Sequence, residues 1–169
     1  MSCSPLFADD LPTTSDDDAL QTVINSRPDL DPYYVASGCV PDRREFFEKL
    51  YECALPYLDT NFVAECKTSF HQRSWEMAVI CVLRHFGFNL EPPNLSGGPD
   101  ATARLEGSSL LHVECVAPTT GSGPDGVPPL RRIGLFPEDQ LLLRIAQGFA
   151  SKRDKFADYL KKASIKSND

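Results

Sequence analysis

Several things are missing from this chain, and each absence removes a class of function. None of its six cysteines, at positions 3, 39, 53, 66, 81 and 115, forms a CxxC pair. Together with His71, His85 and His112 they give no short ligand spacing of the structural-zinc type. No basic-then-apolar leader opens the sequence. No apolar run approaches the roughly 20 residues a membrane helix needs. There is no GxxxxGK phosphate loop and no internal repeat. These absences predict a cytoplasmic protein with reduced thiols and no membrane anchor. Residues 1–20 hold Asp9, Asp10, Asp16, Asp17 and Asp18 but no Lys or Arg, so they account for most of the net charge of −7. The remainder is near neutral, without the broad basic excess that gives nonspecific nucleic-acid binders their affinity.

What is present suits one α/β domain. Hydrophobic residues make up 41% of the 169 residues, enough for a core. Fourteen prolines and ten glycines predict long loops. Residues 1–30, rich in Asp, Ser, Thr and Pro, read as a disordered or loosely attached acidic tail, and residues 31–169 as a single domain. Asp42 with Glu45 suggests a capping box opening a helix over 43–54, whose Phe46, Phe47, Leu50, Tyr51, Ala54 and Leu55 recur at helical spacing.

Thr68 or Ser69 would cap a second helix closing at Gly87. Trp75–Leu83 is apolar almost throughout, so this helix is expected to be buried on most sides, with Glu76 the one acid inside the run. A buried carboxylate costs several kcal/mol unless paired or metal-bound. Arg73, three residues earlier, offers the simple pairing partner.

A short strand is expected at Phe88–Leu90, then Ala101–Leu105, a turn over Glu106–Ser109, and a strand over Leu110–Ala117. On the last strand Leu111, Val113, Cys115 and Ala117 share one face, and Leu110, His112, Glu114 and Val116 the other. That alternation sets His112 and Cys115 on opposite faces, so Cys115 reads as a small buried hydrophobe rather than a nucleophile. Residues 118–136 form a long Gly/Pro-rich loop containing Arg131-Arg132. Pro137 starts a long helix. Leu142, Ile145, Phe149, Phe156 and Leu160 give its buried stripe; Lys152, Arg153, Lys155, Lys161 and Lys162 give its basic half.

A helix with an acid, a hairpin with Asp100 at one end and Glu114 on the next strand, then a helix, is an order suited to metal-assisted phosphodiester hydrolysis. Carboxylate oxygens suit Mg²⁺ or Mn²⁺, and a nearby cation usually orients water or stabilises charge. On Pro99-Asp100, on Glu114-Cys115-Val116 and on the helical Glu76, the sequence resembles the PD-(D/E)XK, or restriction-endonuclease-like, nuclease superfamily. The resemblance covers about residues 68–162 and implies an αβββα core in which Glu76, Asp100 and Glu114 bind the metal. The stretch VECVAPTTGSGPDGVP also resembles a divergent, largely uncharacterised bacterial group within or near that superfamily.

Two features depart from the pattern. Val116 stands where the family's catalytic Lys belongs, and the resemblance then leaves Lys152 or Lys155, on the following helix, to supply the cation. Gln140 and Arg144 on that helix loosely resemble the Gln-xxx-Tyr element of recombination-type exonucleases, with Arg for Tyr. The chain also ends at KASIKSND, where the core's fourth strand is expected, which implies a truncated chain or a small sheet with an exposed edge open to a protein partner or a second copy. Pro124-Asp125 repeats the Pro-Asp pair inside the long loop. Two functions therefore stand side by side: a metal-dependent nuclease, and an inactive nuclease-like scaffold that binds a protein partner. Convergence of all three acids beside Lys152 or Lys155 favours the first. A Glu76 turned to Arg73 and remote from Asp100 and Glu114 favours the second.

Overall fold

A computed structural model describes residues 4–93, 98–106, 109–118, 121 and 138–161. The turn residues 107–108, most of the 118–136 loop with Pro124-Asp125 and Arg131-Arg132, and the chain end from 162 lie outside the described residues. The chain divides into two compact units, residues 1–115 and 116–169.

The first unit is mixed α/β. Its helices are α1 (Asp17–Ser26), α2 (Pro32–Cys39), α3 (Pro41–Ala54) and α4 (Phe62–His85), with one 3₁₀ turn at Leu55–Tyr57. Strands β1 (Asn89–Leu90), β2 (Ala101–Arg104) and β3 (Leu110–Val113) follow. They form an antiparallel sheet in the order β1-β2-β3. In the second unit α5 spans Glu138–Lys161.

The amino-terminal residues are not a loose tail. Leu6, Phe7 and Leu11 are buried in the core. Both carboxylate oxygens of Glu48, on α3, accept from the Leu6 and Phe7 backbone amides, at 3.0 and 3.1 Å. The Tyr34 hydroxyl, on α2, accepts from Ala8 N and donates to the Leu6 carbonyl. The Phe7 ring sits 5.1 Å from Tyr34 and 5.7 Å from Phe70. Gly38 makes room for this strap: a Cβ there would come within 2.6 Å of Leu11 and 2.9 Å of Phe7. The acidic composition of residues 1–20 masks three apolar anchors that do not recur at a helical or strand period.

The helix starts also differ from expectation. Pro41 takes the first turn of α3, where its missing N–H costs nothing, and Val40 rather than Asp42 is the cap. Glu45 instead pairs with Lys49 one turn on. α4 starts at Phe62, and Ser69 (φ −145°, ψ 44°) is a kink inside it rather than a start.

Asp31 mends that kink. One carboxylate oxygen accepts from Phe70 N at 3.0 Å, and the Asp31 amide donates to the Lys67 carbonyl at 2.6 Å. The other oxygen caps α2 through Tyr33 N. The helical groups that the kink leaves without partners are thereby satisfied. α4 ends at His85, and Gly87 follows with φ 82°. α4 is buried along one side only. Phe70, Met77 and Ile80 lie in the core, whereas Trp75 and Val82 are exposed.

β3 ends at Val113, four residues short of the expected Ala117, and Leu111 is exposed. On α5, Leu142, Ile145, Phe149 and Phe156 are exposed rather than buried, because an amphipathic period marks a stripe without supplying the element that covers it.

Candidate metal centre

Glu76 is carried into the core by α4, on the helix side that also buries Phe70, Met77 and Ile80, and is 4% exposed. Its Oε2 accepts from Arg73 Nη1 at 2.5 Å. Arg73 also pairs with Glu65, about two turns upstream across the kink, and lies 3.9 Å from Asp59 in the turn before α4. Its guanidinium stands 5.7 Å over the Phe62 ring. One cation thus faces three acids.

The two partners titrate differently. Burial pushes the Glu76 carboxyl up to about 7; Arg73 opposes this, and the nearby charges of Asp100 and Asp59 add to the rise. Arg73 is raised too, because its three acids outweigh its own desolvation. The pair is unbalanced: Arg73 has acids to spare, whereas Glu76 feels one cation and other anions.

The sheet sets the second and third acids together. Ala101 pairs with Val113 at the end of the ladder, and Asp100 and Glu114 are the next residues beyond β2 and β3 there. Within the ladder Thr102 pairs with His112, and their Oγ1 and Nδ1 are 3.3 Å apart. The Asp100 Oδ2 accepts from Cys115 N at 2.6 Å, which ties the two strands at the end of the ladder. Cys115 is buried, as expected for a small hydrophobe.

Asp100 flanks the same ladder end as Glu114, and its charge acts on Glu76. All three acids belong to the first unit. Lys152 and Lys155 belong to the second, on α5, with Lys152 half-buried and Lys155 exposed. Val116 opens that unit.

Three carboxylates offer the hard oxygen donors that Mg²⁺ or Mn²⁺ prefers. Among the described residues, no three His, Cys, Asp or Glu side chains are grouped closely enough to hold an ion, and Glu76 is turned onto Arg73. The donor chemistry fits a divalent cation, and the Arg73–Glu76 contact stands against closing the set.

Glu65, Asp59 and Asp31 escaped the sequence reading. That reading started the helix at Thr68 or Ser69, so Glu65 was not placed on the helix of Arg73. With α4 beginning at Phe62, the Glu65–Arg73 spacing of two turns puts both on one face.

No helix among the described residues is long and apolar enough to cross a membrane. No family model, curated protein or solved structure matches this chain.

Proposed function

We propose that the first unit carries a divergent metal site for phosphodiester hydrolysis of nucleic acid, on a restriction-endonuclease-like αβββα core. The reading is supported by Asp100 and Glu114 flanking one end of the β2–β3 ladder and by the charge of Asp100 acting on the buried Glu76. Like charges gathered at a buried carboxyl cost stability, and a bound cation recovers that cost. A buried carboxyl with a strongly raised pKa beside specific charges is one mark of a functional site.

Asp100 and Glu114 would supply ligand oxygens from neighbouring strands, and Glu76 would complete the set from α4. Bound Mg²⁺ or Mn²⁺ supplies a water of lowered pKa and neutralises charge on the phosphate. Asp100 is held in place by the Cys115 amide, and Glu76, shielded from water by the core, would exchange Arg73 for the ion. The test is cleavage of labelled DNA and RNA, single- and double-stranded, with Mn²⁺ or with chelator. Activity that needs Mn²⁺ and falls at least a hundredfold in Glu114→Gln supports the reading. A folded, Mn²⁺-loaded wild type that cuts none of these substrates refutes it.

A second reading has its own observation. Arg73 already fills the cationic role beside Glu76, as in a nuclease-like scaffold whose acids are structural and which acts by binding a protein partner. On that reading the folded protein binds no divalent ion.

A further inference from the structure

A second cluster, apart from the acids, concerns sulfur. Cys39, Cys66 and Cys115 are buried, and burial pushes the Cys66 thiol up to about 12. Cys53 and Cys81 differ: both are half-buried. Cys53 sits in the last turn of α3 and Cys81 on α4, close enough for the Cys53 side chain to act on the Cys81 thiol. Cys81 Sγ also lies 3.5 Å from the Leu50 carbonyl, one turn before Cys53 on α3.

Arg84, one turn beyond Cys81 on α4, closes the group. Its Nη1 donates to the Cys53 carbonyl at 2.5 Å and lies 3.3 Å from Cys53 Sγ. Its guanidinium stands 5.6 Å over the Tyr57 ring. Arg84 and Tyr57 also line an open cavity of about 320 Å³, with Gly87, Phe88, Asn89 and Leu90. A small solute therefore reaches the guanidinium that holds Cys53.

We propose that Cys53 and Cys81 are a redox-active pair, oxidised by a hydroperoxide to a disulfide that joins α3 to α4. The Cys53 thiolate attacks the distal peroxide oxygen and the O–O bond breaks. The products are the Cys53 sulfenic acid and an alkoxide or hydroxide, which takes up a proton and leaves as alcohol or water. The Cys81 sulfur then attacks the Cys53 sulfur. The S–O bond breaks, and the departing hydroxide takes the Cys81 proton and leaves as water. Two thiols supply the two electrons that reduce one peroxide. Arg84 is the positioning residue: it fixes Cys53 beside its partner and sets a positive charge next to the attacking sulfur. Cys39, Cys66 and Cys115 are buried away from solvent, and the proposal leaves them reduced. Burial, with Cys53 beside it, pushes the Cys81 thiol up to about 12, so it is the less reactive of the two and suits the resolving role.

The test treats the native full chain with hydrogen peroxide, blocks the remaining thiols by alkylation and maps the peptides by mass spectrometry. The expected product is one Cys53–Cys81 cross-linked peptide, with a higher melting temperature than the reduced protein. Cys81→Ser stops at a sulfenic acid trapped by dimedone on Cys53. Arg84→Gln slows disulfide formation roughly tenfold. Cys53 and Cys81 both alkylated after oxidation of the wild type, or joined to other cysteines instead, overturns the proposal. This reading of the wild type depends on no variant's folding.

Discussion

Arg73 Nη1 stands 2.5 Å from Glu76 Oε2, three residues along the same helix, and this contact divides the two functional readings. If Arg73 is only a structural counter-ion, removing it leaves the acids repelling each other and gains nothing. If the acids form a metal site, Arg73 competes with the ion for Glu76. Arg73→Gln is then expected to tighten Mn²⁺ binding about tenfold, since a unit positive charge leaves the site. Calorimetry on wild type and variant, each confirmed folded by circular dichroism, checks this. Unchanged or weaker binding in the variant contradicts the competition.

The pH dependence of stability follows from the same carboxyl. Glu76 holds its proton up to about 7 in the folded chain, against an ordinary 4.5. The folded state then binds the proton more tightly than the unfolded one. That contribution is complete below the unfolded value and is lost as pH rises through the folded one. Its size is about 3 kcal/mol from the 4.5-to-7 shift. Denaturant unfolding in chelator from pH 4 to 8 should show wild type losing stability relative to Glu76→Gln as pH rises. Parallel curves would mean that Arg73 fully compensates the buried charge.

Glu48 anchors the amino terminus by accepting two backbone amides. Glu48→Ala strands both beneath the strap and is expected to cost about 3 kcal/mol, hydrogen bonds to charged groups being worth about 1.5–3 kcal/mol each. Faster limited proteolysis within residues 4–12 should accompany the loss. An unchanged melting temperature would return this segment to a loose tail.

Asp31 serves two helices at once, capping α2 and satisfying Phe70 N at the kink of α4. Asp31→Ala is expected to cost about 2 kcal/mol, the upper range for a helix cap. Denaturant unfolding reads the loss. Asp31→Asn, which keeps the acceptor oxygen, should recover at least half of it.

The order of elements from α4 to α5 was legible in the sequence because Gly87, Pro92-Pro93 and the alternation after Leu110 punctuate it. Glu76 stood out as the one acid in an apolar run, and Arg73 as its partner, since helical spacing alone brings them together. Long-range choices were not legible. The Ser69 kink is fixed by Asp31, which lies 38 residues earlier in the chain, and no local pattern encodes that contact. Leu6, Phe7 and Leu11 reach the core because Glu48, Tyr34 and Gly38 receive them, which composition alone does not reveal.

The most direct test of the account is calorimetric titration of Mn²⁺ into the folded wild type and into Asp100→Asn. Asparagine retains an oxygen to accept from Cys115 N, so the strand end survives while the ligand charge goes. The account predicts saturable binding to wild type, weakened at least tenfold in Asp100→Asn. No binding to a wild type shown folded by circular dichroism, or equal binding to both proteins, would contradict a metal site built on Asp100.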